Sequence, residues 1–312
     1  MRALFLSIIL CYSLLTFGKE PSDTSSQDFQ SFKQKFKRDS VLSFHSPKGY
    51  FPSLIHNIGQ QATFPLRMGG RQFVVLGSTT IISAALIKYD EQIDKQFRPV
   101  KEKNLLINNV SPEFTELGDY YGYMLLAGFG TYSIAFNNYK GFRTSLLASQ
   151  AAITAGLWIR VGKVLTGRMR PGNTYDDPEF KSDHWFGPFS QFSKKYNLHR
   201  GAGAFDAFPS GHTGSIFAMA TVIAKQYKEY KAVPVIMYSI AGFVGVSRMV
   251  EHHHWASDVF LGGVIGYFCG KQVVDNENKL FPNNKSADKK FRSYIFPASQ
   301  DGINGLGWAM IF

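Results

Sequence analysis

Apolar and polar positions divide this chain into three stretches. Residues 19–45 are rich in Ser, Gln, Asp and Lys, with one short amphipathic stretch, Gln27 to Arg38, that sets Phe29, Phe32 and Phe36 on one side. From about Gln72 the chain turns apolar. Its runs predict helices over Phe73–Lys88, Tyr120–Asn137, Leu146–Leu165, Ser215–Tyr227, Val233–Arg248 and Trp255–Val274. No alternating strand pattern separates them, so the expected fold class is all-α, a bundle of about six core helices. From Asn276 onward the chain is polar and Lys-rich. The last stretch, Ser293 to Phe312, is β-prone around Asp301-Gly302 and predicts a short hairpin or an irregular tail. The expected organisation is a leader over 1–18, a polar segment over 19–71, a helical domain over 72–275, and a linker with its tail over 276–312.

The leader assignment rests on Met1-Arg2, an apolar run from Ala3 to Phe17, and small residues near Gly18, which read as a secretory signal peptide. Removal of that leader takes Cys11 with it. Cys269 then stands alone in an apolar run, as a buried small residue with no intrachain disulfide. The formal charge is +11. A basic balance suits nucleic acid, membranes or anionic substrates. No nucleic-acid motif is present, so the excess points to an anion site and an anionic lipid surface.

The membrane question has arguments on both sides. The apolar runs fall short of the roughly 20 residues that a span needs, and the mean hydropathy is −0.12. Against this, the helices are Gly- and Ser-rich, as membrane packing faces are. The expectation is membrane association, with full embedding open.

Three segments of the second half carry the chemistry. Lys163 and Arg170 are spaced to emerge from one face of a helix that Pro171 stops. Pro209-Ser210-Gly211-His212 precedes an apolar run. Ser210 is a favoured N-cap, helix-start N–H groups bind anions, and Gly211 removes a Cβ from their approach. His254 and Asp258 are spaced i, i+4, with Arg248 earlier in the same segment. Taken singly, these segments also fit solvated charges, an ordinary capped turn with an incidental His, and a surface His–Asp pair. Together they offer fixed cations, an anion site, two histidines and a carboxylate. That set can grip a phosphate and break its ester at a histidine without a metal. His252 and His253 leave the choice of nucleophile open. Adjacent helical residues diverge by about 100°, so the three histidines cannot share one ion on a regular helix.

In order, the segments read K-x6-RP, PSGH and SR-x5-H-x3-D. This pattern resembles the type 2 phosphatidic acid phosphatase superfamily, over roughly Gly156 to Gly270. The resemblance implies an exported, membrane-associated phosphatase, with its site facing the periplasm or exterior and no cofactor or metal. The implied substrate is a phosphate monoester or diphosphate of a lipid or polyprenyl carrier. It implies His254 as the nucleophile, Asp258 as its orienting partner and His212 as the general acid. Lys163, Arg170, Ser210, Gly211 and Arg248 would form the phosphate cradle. Trp185, Phe186, Phe189 and Phe192, in the long connection between the first two motifs, can line a lipid entrance. A soluble periplasmic acid phosphatase acting on small phosphoesters, a vanadate-dependent haloperoxidase and a non-catalytic phosphate-binding envelope protein are the alternatives.

Overall fold

The computed structural model describes residues 49–174, 185–192, 202–280, 292–300 and 303–311, together with the helical positions Gln30 and Gln34. The leader over 1–18, and all of the Gln27–Arg38 stretch except those two glutamines, lie outside the described residues. Eight α-helices form among the described residues: α1 (Tyr50–Ala62), α2 (Gly70–Lys103), α3 (Leu105–Leu117), α4 (Tyr120–Ala135), α5 (Tyr139–Thr166), α6 (Gly211–Gln226), α7 (Ala232–Val250) and α8 (Ala256–Leu280). Six match the expected helices. The other two, α1 and α3, were not foreseen. The first forms inside the polar segment, and α3 carries Pro112. The side chain of Asn104 starts α3 by accepting from the N–H groups of Leu106 and Ile107. Helix α2 runs well past its apolar stretch, through charged residues up to Lys103.

Small residues govern the packing at the centre. Gly262, Gly266 and Gly270 lie four apart on α8, and a Cβ on each would fall 2.5, 2.2 and 2.6 Å from the backbone oxygens of Ser210, Gly214 and Ala218. Four-residue spacing puts each series on one helix face, so the two backbones approach in step. This contact holds the start of α6 beside the start of α8. Helix α1 docks on α5 through polar groups: Asn57 donates to Gln150 at 3.1 Å, and Trp158 Nε1 donates to Gln61 at 2.7 Å.

The surface inverts the usual arrangement. Ala148, Ala151, Ala152, Thr154 and Ala155 of α5 are buried, while Ile153, Leu157, Val161 and Leu165 of the same helix face outward. Val74, Leu76 and Ile81 of α2 and Val235, Ile236 and Phe243 of α7 are likewise exposed. Large exposed apolar belts mark a lipid or protein contact, and lipid-embedded bundles pack through small residues. Among the described residues, two helices are long and apolar enough to cross a membrane, α2 over Gly70–Val100 and α7.

Residues 276–312 form a compact unit. Strands β1 (Arg292–Gln300) and β2 (Ile303–Ile311) pair antiparallel there, with Gln300 opposite Ile303. Asp-Gly is a preferred two-residue hairpin connection, and Asp301-Gly302 lies between those partners.

Candidate active site

Four helix ends meet at one place. Helix α5 ends at Gly167, whose φ of 55° is left-handed; a Cβ there would fall 2.4 Å from the Gly187 carbonyl oxygen. The chain then runs extended beside 204–207: Arg170 N–H donates to the Ala204 carbonyl at 2.9 Å, and Ala207 N–H to the Arg168 carbonyl at 3.0 Å. Helices α6 and α8 start at the site, and α7 ends there.

Lys163 and Arg170 do not share a helix face, because the left-handed Gly167 intervenes. Asp206 brings them together instead. Its carboxylate accepts from Lys163 Nζ at 3.2 Å and from Arg170 Nε at 2.8 Å and Nη2 at 2.7 Å. Burial pushes the Asp206 carboxyl up, but Lys163 and Arg170 outweigh it and hold it below the usual carboxylate range. Arg248, in the last turn of α7, is buried, and its Nε has no hydrogen-bond partner among the described residues.

Ser210 occupies the N-cap position of α6, but its hydroxyl does not cap the helix. It sits 2.9 Å from the Thr213 hydroxyl instead. A Cβ on Gly211 would meet only Ile159, at 4.0 Å, so packing does not demand glycine there. His212 follows in the first turn, with its Nε2 3.5 Å from Asp119. Its pKa is pushed down to about 3, by burial first and then by Arg248, Lys163, Arg170 and His253.

The three histidines of 252–254 turn to three different partners. His252 Nδ1 pairs with Asp94 at 3.0 Å, and His253 Nδ1 lies 3.1 Å from Arg170 Nη1. His254 is buried in the turn before α8, not on the helix, and its Nδ1 lies 2.7 Å from the Ala207 carbonyl oxygen. That oxygen can only accept, so Nδ1 carries the proton and the lone pair is on Nε2. The expected hydrogen bond to Asp258 is therefore not formed; its Oδ2 is 3.6 Å away. Asp258 is occupied by the Trp255 N–H at 2.8 Å, which fixes the start of α8, and by Arg168 Nη1 at 2.7 Å. Burial holds His254 well below the ordinary histidine pKa, and Lys163, Arg248, Arg170 and His212 push it further down.

Arg168 was missed from sequence because it sits between two cations that looked more telling. It is 0% exposed. Its guanidinium bridges Asp258, Ser257 and, at 2.8 Å, Asp90 of α2, under the Trp185 ring at 4.6 Å. Asp206 and the Ala207 carbonyl were missed too. A lone loop Asp and a backbone oxygen leave no signal in spacing. Of the four aromatics expected at an entrance, Trp185 covers Arg168 and Phe186 packs against Phe205. Phe189 and Phe192 are 63% and 66% exposed.

Residues 144–280 match the model of the PAP2 superfamily. The chain is 28% identical over 204 residues to a lipid A 1-phosphatase of Porphyromonas gingivalis, covering 62% of this chain and 36% of that protein. It is 32% identical over 90 residues to a protein of Schizosaccharomyces pombe named probable diacylglycerol pyrophosphate phosphatase 1, covering 25% of this chain and 31% of the relative. Over 226 residues it is 25% identical to a lipid A 1-phosphatase of Rhizobium etli, covering 65% of this chain and 82% of that one. The chain thus spans about a third of the length of the first two relatives.

Proposed function

We propose, from the match of residues 144–280 to the model of the PAP2 superfamily, that this chain is a membrane-associated phosphatase of phosphorylated lipids, working through a phosphohistidine at His254. The observation that carries this reading is the convergence of Lys163, Arg170 and Arg248 on the two histidines. Each of these cations depresses the pKa of both His212 and His254.

In the first step, the free Nε2 of His254 attacks phosphorus and the bond to the leaving oxygen breaks. Lys163, Arg170, Arg248 and the first-turn N–H group of α6 at Gly211 balance the charge on the equatorial oxygens, while the Ser210 N–H is given to the Asp258 carbonyl at 3.0 Å. His212 passes a proton to the leaving alkoxide. In the second step it takes a proton from water, which attacks the phosphohistidine and frees inorganic phosphate. Arg168 holds Asp258, and the Ala207 carbonyl holds the tautomer of His254.

A phosphorylated lipid is favoured over a small soluble ester by the apolar belt around the helices and by Phe189 and Phe192, which stand exposed in the connection that follows α5. The matched relatives are named for lipid A and diacylglycerol pyrophosphate. The site would face the periplasm or exterior.

The test is rapid-quench labelling of detergent-purified protein in EDTA, with a lipid phosphate and with p-nitrophenyl phosphate. His254→Ala gives no phosphoenzyme from either. His212→Ala loses about 10²- to 10⁴-fold on the lipid ester, the usual worth of general acid–base help, and accumulates phosphohistidine from the activated ester. Label trapped by His254→Ala would overturn the assignment.

A further inference from the structure

Lys163 and Arg170, the two cations of the first motif, are already satisfied by a carboxylate of this chain. We infer that Asp206 is an internal anion seated in the phosphate cradle, a residue that sets the affinity of the site by competing with phosphate; this rests on the phosphatase reading above. Arg170 spends Nε and Nη2 on a single oxygen, Asp206 Oδ1, while Lys163 Nζ holds Oδ2. Two N–H groups of one guanidinium edge thus converge on one anionic oxygen, and charge-assisted bonds of this kind are the strong ones. The remaining Nη1 lies against His253.

The backbone on either side of Asp206 is anchored to the first motif. Flanking residues Ala204 and Ala207 bond to Arg170 and Arg168 through the main chain. The backbone at Asp206 is thus kept beside the first motif, and its carboxylate reaches both cations. An incoming phosphate has to displace it or share its partners. The leaving product meets the same competitor in reverse. Three cations in a buried site would otherwise retain inorganic phosphate. Asp206 weakens that grip and favours release of phosphate after the phosphohistidine is hydrolysed.

Asp206→Asn tests this, because the amide keeps the shape and an acceptor oxygen for Arg170 while removing one negative charge. Binding of orthovanadate and of orthophosphate to the purified full chain is measured by calorimetry, with thermal unfolding as the check on folding. The expected result is binding tighter by on the order of tenfold, since a like charge beside the anion is lost. It is accompanied by a lower kcat and stronger product inhibition. A correctly folded Asp206→Asn protein that binds both anions equally or more weakly overturns the inference and leaves the phosphatase reading standing. If neither protein binds either anion, both fall. Binding by the variant alone supports the inference, because it identifies the carboxylate as the block. A variant that does not fold shows that Asp206 is a structural strut, which also overturns it.

Discussion

At the scale of single residues, the protonation of His212 is the telling detail. Its pKa is pushed down to about 3, with burial first among the causes and the cradle cations next. It is therefore neutral near pH 7, and a general acid needs a proton. The proton has to enter with the substrate, on the monoanion of a phosphate ester, whose second ionisation lies near pH 6. Above that pH the monoanion falls about tenfold per unit, and kcat/KM on a monoester falls with it. Burial and the cradle cations hold the His254 imidazole below the ordinary histidine range, so its acid limb is shifted to lower pH than that of a free imidazole. A profile of kcat/KM from pH 5 to 9 checks this. A flat line through pH 9 would mean that His212 holds its proton without help from the substrate.

The element that matters most is the glycine face of α8 against α6. These two helices carry Asp258 at one start and Gly211-His212 at the other, so their spacing sets the site. Gly266→Ala would place a methyl group 2.2 Å from the Gly214 oxygen and 3.0 Å from the Ala218 nitrogen. Both are backbone atoms and cannot rotate away. Overpacking of this kind costs about 1–3 kcal/mol, more than the roughly 0.5–1 kcal/mol that alanine gains over glycine inside a helix. Gly263→Ala, whose methyl would meet only the Phe217 ring at 3.4 Å, should melt at or above the wild-type temperature. Gly266→Ala should melt several degrees lower and lose activity in parallel. Equal melting of the two variants would mean that the helices are not held by close backbone approach.

At the scale of the whole molecule, the exposed apolar belt sets the environment. Helices that bury alanine and threonine while exposing isoleucine, leucine and phenylalanine are packed for a solvent that is itself apolar. The chain is expected to stay in the membrane pellet through an alkaline carbonate wash and to leave it only with detergent; release by carbonate would count against spanning helices. The low mean hydropathy that argued against embedding averages in the polar stretches over 19–45 and after 276, which dilute the helical body.

The all-α class and the three helices that the second and third motifs border, α6, α7 and α8, were legible in the sequence; Lys163, Arg170, His212, Arg248 and His254, named there as candidates, lie close enough in the fold to act on one another's charge. Apolar runs and motif spacing are local properties that survive without coordinates. What fills the hydrogen bonds between those residues was not legible. Spacing suggested that Lys163 and Arg170 share a helix, yet a left-handed glycine ends the helix between them and a carboxylate 36 residues beyond Arg170 rejoins them. Spacing paired His254 with Asp258, yet the Ala207 carbonyl lies closer to Nδ1, while buried Arg168 claims the carboxylate. Such partners come from distant loops and from backbone atoms, which carry no residue-type signal, and only the packing of α5, α6 and α8 decides which of them arrive.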